Sequence, residues 1–169
     1  MQFFTKGNTI LFKGFDPVFD ERSELLILGS FPSVKSREDG FYYGNKRNVF
    51  WQILRDYFND KFGDEREEKI NFLLKRRIAL WDIVESCEIE GSSDSKISNY
   101  RLADLDRVLS KAKIRGIILN GKKSFELFSK AYKNLLPLAV CLPSTSPANV
   151  GMDREKWICF LDKFFSETR

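Results

Sequence analysis

Four short apolar runs, each followed further along by a pattern of helical period, constrain the fold more than any other feature of this 169-residue chain. They are residues 24–29 (ELLILG), 77–84 (RIALWDIV), 114–121 (IRGIILNG) and 138–142 (LAVCL). Runs this short and this continuously apolar read as strands buried on both faces, as in a parallel sheet. The intervening patterns predict helices over 50–58, 65–75, 102–111, 122–134 and 152–167. In 50–58 the apolar stripe is Phe50, Trp51, Ile53, Leu54, Tyr57 and Phe58; in the last helix it is Trp157, Phe160, Leu161, Phe164 and Phe165. Alternation of strand and helix predicts an α/β domain with a mostly parallel, four-stranded sheet. Residues 1–23 read as a polar-aromatic segment, extended at 9–12, packed on a single domain spanning 1–169. Residues 30–48, 85–100 and 143–151 read as loops rich in Gly, Ser, Pro, Asn and charge.

Composition narrows the chemistry. There is no His, which excludes Ser-His-Asp and Cys-His nucleophile systems and leaves a zinc site without its usual ligands. Cys87, Cys141 and Cys159 are odd in number and far apart, so they read as reduced thiols in a cytoplasmic protein, nucleoid-associated if prokaryotic. An iron–sulfur cluster needs about four Cys ligands and is closed to this chain. No cofactor is expected. No apolar run reaches membrane-spanning length, and no leader pattern opens the chain. The net charge of +4 and a pI near 8.9 are compatible with nucleic acid without demanding it.

The polar loops fall where the strands end, which in open α/β sheets is where the ligand crevice lies. Gly29 closes the first strand and lets the backbone approach a ligand. Phe41, Tyr42 and Tyr43 offer flat apolar faces for a flipped base; in a Phe-rich chain, core packing competes with that role. Asn48 reads as the N-cap of the next helix, or as an amide facing the crevice where it holds a water. Asn120 reads as a turn residue before Gly121, or as a carboxamide aimed into the pocket. In the second role it takes the N1–H of hypoxanthine and donates to its O6, provided its neighbours lock the amide against turning over to suit adenine. Ser144, Thr145 and Ser146 can donate to phosphates. Lys122 and Lys123, with Arg37, Lys46 and Arg47, add a basic rim.

Jointly, GSFPSVKSRE (29–38), the FYYG…N.FW block (41–51), ALWD (79–82) and LPSTSPAN (142–149) resemble the uracil-DNA glycosylase superfamily, and within it the hypoxanthine-DNA (deoxyinosine) glycosylases. The resemblance implies a three-layer αβα sandwich, no metal, and simple hydrolysis of an N-glycosidic bond in double- or single-stranded DNA by a monomer. It implies Asn48 as the catalytic residue. Substrate contacts are implied at Gly29, Ser30, Phe31, Ser33, Phe41, Tyr43 and Asn120, with Phe41 stacking on the base. DNA contacts are implied at Lys122, Ser144, Thr145, Ser146 and Asn149. Two departures stand out. The first motif offers only Ser30 and Ser33 where many members carry Asp or Asn, and Asn45-Lys46 replaces the usual His-Pro. The first departure shifts the chemistry to Asn48 and argues against an efficient uracil glycosylase.

Cleaving the bond develops oxocarbenium character on the sugar. An Asn is a weak base, so its work is to orient water and stabilise charge. The alternatives are a uracil or G:T/U mismatch glycosylase and, from another class, a non-catalytic nucleic-acid or nucleotide binder, which would leave no abasic product.

Overall fold

The computed structural model describes residues 3–6, 9–90 and 97–167. Strands β1 (Phe3–Lys6) and β2 (Thr9–Lys13) precede β3 (Leu25–Gly29), after which come α1 (Val34–Asp39), α2 (Phe50–Phe58) and α3 (Arg66–Lys75). Strands β4 (Ile78–Asp82), β5 (Val84–Glu90) and β6 (Ile97–Leu102) lead to the short α4 (Asp106–Leu109). The chain closes with β7 (Gly116–Asn120), α5 (Lys122–Ala131), a 3-10 segment at Lys133–Leu138, β8 (Ala139–Leu142) and α6 (Arg154–Ser166).

The four apolar runs form one sheet in the order β4-β3-β7-β8, with every neighbouring pair parallel. All five positions of β3, β4 and β7 are buried, which is why these strands read as unbroken apolar runs instead of alternating ones. Helix α3 packs on β4, α5 packs on β7 and β8, and α2 meets α6. The α/β class and the helix-flanked, four-stranded parallel sheet are as the sequence predicts.

A second sheet, β1-β2-β5-β6, is antiparallel and was not expected beyond the extended piece at 9–12, which is β2. Residues 85–100, expected as a loop, hold β5 and most of β6; residues 91–96 lie outside the described residues. The period-2 signal is present, since Cys87 and Ile89 are buried, but only two apolar positions carry it among Glu and Ser. Helix α1 occupies part of the expected 30–48 loop; Ser33 caps it by accepting from Ser36 N–H at 3.2 Å. The expected 102–111 helix shrinks to α4 because β6 runs on to Leu102. The 122–134 helix stops at Ala131, and Pro137 sits in the 3-10 segment that follows.

The backbone of β7 lies hard against α6. A Cβ on Gly116 would stand 2.5 Å from Cε2 of Phe164, whose ring also receives the Arg115 guanidinium at 3.9 Å. Gly116→Ala should therefore cost about 1–3 kcal/mol through overpacking, read as a lower urea midpoint; an unchanged midpoint would show that α6 shifts freely.

Candidate active site

The carboxyl ends of the parallel strands open into a cleft of about 570 Å³. Strand β3 ends there at Gly29, β4 at Asp82 and β7 at Asn120, while β8 feeds the loop at Ser144–Pro147. Residues from the 30–48 segment form the facing wall. This is the crevice that parallel topology creates, because helices must leave the sheet from that edge.

Asn120 is the structural hub. Its Oδ1 accepts from the Thr145 backbone N–H at 3.1 Å. Its Nδ2 donates to Thr145 Oγ1 at 3.0 Å and to the Tyr43 hydroxyl at 3.1 Å. The Thr145 N–H demands an acceptor, so the amide cannot turn over without losing that bond. Both amide hydrogens are spent, so the donation to O6 expected of this amide has no hydrogen left, and one lone pair on Oδ1 remains. Thr145 together with Tyr43 thus locks the orientation of the amide.

Asn48 lines the cleft and is pinned by its neighbours. Its side-chain Oδ1 accepts from Phe50 N–H at 3.0 Å, and its N–H donates to the Asn45 carbonyl at 2.8 Å. Val49 N–H donates to the Thr145 carbonyl at 3.2 Å, tying this segment to the opposite loop. Asn48 therefore serves the helix start while still facing the cleft; the formal cap position falls on Val49. Asn45 and Lys46, in the place of His-Pro, sit in a braced turn, since Asn45 Oδ1 accepts from Arg47 N–H at 3.0 Å.

The aromatics divide. Tyr43 holds a left-handed backbone (φ 53°), its ring stacked on Phe50 at 4.1 Å and its hydroxyl taken by Asn120. Phe31, Tyr42 and Tyr43 line the cleft. Phe41, expected to stack on the base, is not among its walls. It is buried against Trp51 and Tyr42, with Arg66 over its ring at 5.6 Å. Its apolar face is consumed by core packing, which single-sequence reading does not separate from display in a loop.

Gly29, Ser30 and Ser33 also line the cleft. A Cβ on Gly29 would fall 2.4 Å from Asp82 Oδ1 and 2.8 Å from the Tyr43 hydroxyl, so only glycine leaves room for both groups at the floor. Thr145, expected at phosphates, is instead only 1% exposed and committed to Asn120. Ser144 and Ser146 brace their own loop by accepting from Ser146 N–H and Ala148 N–H, and Asn149 is exposed with its amide on the Ser144 carbonyl. Lys122 is exposed at the start of α5, whose cap Gly121 takes φ 95°, a conformation that favours glycine. Val150, next along the loop, is 91% exposed.

The sequence places ALWD among the motifs and the segment from Asp82 to Asn99 at the crevice, but singles out no role for Asp82. Asp82 is 4% exposed, lines the cleft, and its Oδ2 has no hydrogen-bond partner among the described residues. Burial pushes its carboxyl up to about 7. Burial, then the Asp82 charge, holds the Tyr43 hydroxyl well above its ordinary range, and Tyr42 follows the same pattern. An acidic residue closing an otherwise apolar strand, one residue from where a ligand crevice must open, was the available signal.

The family model for the uracil DNA glycosylase superfamily matches residues 17–168, and the chain belongs to that superfamily. Two of its relatives are the hypoxanthine DNA glycosylases of Methanosarcina acetivorans and Methanosarcina barkeri. The first is 37% identical over 139 residues, 81% of this chain and 87% of the relative. The second is 33% identical over 116 residues, 68% of this chain and 73% of the relative. A solution NMR structure of a candidate uracil DNA glycosylase from M. acetivorans superposes with a TM-score of 0.75 at 35% identity, covering 88% of this chain and 94% of that one.

The Asp82 carboxyl has a consequence for stability. Its folded value near 7 lies above the ordinary 3.8, so the folded chain holds a proton that the unfolded chain releases within that window. Stability is lost as pH rises from about 4 to about 7, by on the order of 4 kcal/mol if the full displacement is realised. Asp82→Asn should leave urea stability little changed at acid pH and raise it at pH above 7. Parallel stability profiles for the two proteins would contradict this.

Proposed function

We propose that this chain is a monofunctional DNA glycosylase that removes deaminated bases, hypoxanthine foremost, from DNA. The observation that carries the reading is the meeting of Asn48, Asn120 and an aromatic wall in one cleft at the carboxyl edge of the parallel sheet. The cleft's volume lies within the range that small-molecule sites use, which suits a flipped purine. The relatives named as hypoxanthine DNA glycosylases support the choice of base.

In this reading the flipped base lies against Phe31 and Tyr43. The one unspent lone pair of Asn120 accepts the N1–H of hypoxanthine. Adenine presents a lone pair at N1, and the locked amide has no free hydrogen to meet it. Leaving such polar groups unpaired costs roughly 1–3 kcal/mol per group. Asn48 Oδ1 keeps a lone pair beyond its bond to Phe50 N–H, and this orients the attacking water. Lys122, Lys46 and Arg47 supply cations to the DNA backbone. The site has no strong base, which makes it a slow enzyme.

Asn48→Ala should lower single-turnover release of hypoxanthine from inosine DNA by roughly 100-fold or more, with DNA affinity kept within a few-fold. Surviving excision would remove Asn48 from the mechanism. Side-by-side assays on inosine, uracil and G·T DNA should rank inosine first; uracil in first place would favour a uracil-type enzyme.

The loop that follows β8 carries no bulky aromatic or Leu wedge, only Pro147 and Val150 beside the buried Thr145. Flipping costs a few kcal/mol and less at weak pairs. Excision should therefore be faster for inosine in mismatched or single-stranded contexts than in its best-paired context. Equal rates in all contexts would contradict the assignment.

A further inference from the structure

We propose that Asp82 is a catalytic residue that works as a neutral acid, donating from its carboxyl to O6 of the purine as the glycosidic bond breaks. This rests on the glycosylase reading above and adds to it a carboxylic acid at the floor of the cleft. The lactam edge of hypoxanthine shows a donor at N1 and an acceptor at O6. Asn120 meets the first with its remaining lone pair, but both its hydrogens are held by Thr145 and Tyr43. A second group must face O6, and it must carry a hydrogen.

Asp82 fits by position. It ends β4 directly across from Gly29 in the parallel register, and β3 separates it from β7 and Asn120. Because Gly29 has no side chain, Asp82 Oδ1 and the Tyr43 hydroxyl can both crowd in, each within 3 Å of where a Cβ would stand. Asp82 Oδ2 is buried and has no hydrogen-bond partner among the described residues, where a buried polar atom usually finds one. An unpaired buried carboxylate is costly, whereas an unpaired carboxyl awaiting an acceptor is much less so.

The surrounding charges agree. From the facing loop Asp82 meets Tyr42 and Tyr43, both kept neutral by burial and then by Asp82 itself. Asp16 and Arg107 act on Tyr42 from further out, and Lys123 of α5 lines the same cleft. No cation is paired with the carboxyl among the described residues, and burial alone brings it to about 7. Bound DNA adds negative phosphates, which favour the neutral form further. The step balances. The C1′–N9 bond breaks with its electron pair passing to the purine, and the Asp82 proton moves to O6. The water oxygen bonds to C1′, and the proton that water gives up returns to Asp82. One water is consumed, and the released 6-hydroxy tautomer relaxes to the lactam in solution.

The test is the pH profile of single-turnover hypoxanthine release by the wild type, Asp82→Asn and Asp82→Ala. The wild-type rate should fall about tenfold per pH unit above an inflection at or above the free-protein value near 7. Asp82→Asn, which donates without titrating, should retain a measurable rate and lose that fall. Asp82→Ala should be slower than Asp82→Asn at every pH. Affinity for free hypoxanthine, measured by calorimetry on the same proteins, gives a readout without catalysis and should show the same loss of pH dependence in Asp82→Asn. Wild-type cleavage whose alkaline fall persists in Asp82→Asn, or a wild-type rate that rises with pH, overturns the proposal and leaves the glycosylase reading standing. A wild type that neither cleaves inosine DNA nor binds hypoxanthine overturns both.

Discussion

One carboxamide holds the cleft together. Asn120 ends a strand buried along its whole length, and its amide reaches two segments that no strand pairing connects: the loop after β8 through Thr145, and the loop before α2 through Tyr43. Val49 N–H then ties the second segment back to the Thr145 carbonyl. The loop is closed: Asn120 fixes Thr145, Thr145 fixes Val49, and Asn48 beside it inherits its position. Three hydrogen bonds to one buried amide do not add much net stability individually, about 1 kcal/mol each. Their value is geometric, because breaking any one leaves a buried polar group unpaired.

The electrostatic character follows from burial and not from pairing. The ion pairs among the described residues lie outside the cleft, such as Arg55–Asp64 at 2.7 Å and Lys130–Glu126 at 3.3 Å. The cleft instead holds amides, hydroxyls, Lys123 and one carboxyl that is paired with no cation among the described residues. A chain without His has few groups that titrate near neutrality, and raising an Asp by desolvation is the remaining route to one. A neutral cleft floor also suits a polyanionic substrate, since a carboxylate there would oppose its approach.

The sheet was legible because burial on both faces writes itself as continuous apolar runs, and residues 24–29, 77–84, 114–121 and 138–142 each became a strand. The antiparallel sheet was not, because beyond Val84 the buried positions of β5 are Cys87 and Ile89, set among charged and hydroxyl residues. In the cleft, Asn48 and Asn120 were legible from their places at a helix start and a strand end, and Tyr43 as one of three loop aromatics. Phe41 and Tyr43 lie two residues apart in a run of three aromatics, and sequence cannot say which ring the core takes; the left-handed turn at Tyr43 decides it. Thr145 looked like a surface hydroxyl in a polar loop, yet the partner that draws it inward lies 25 positions earlier. Asp82 was hidden by the apolar run that it terminates.

The central claim is that a flipped deaminated purine enters between Tyr43 and Asn120. A crystal structure of Asn48→Ala bound to inosine-containing DNA tests it most directly. The account predicts the hypoxanthine ring out of the helix, its N1 within hydrogen-bond distance of Asn120 Oδ1, and the Asn120–Thr145 bonds intact. An inosine still stacked in the duplex, or a base held away from Asn120, would contradict it.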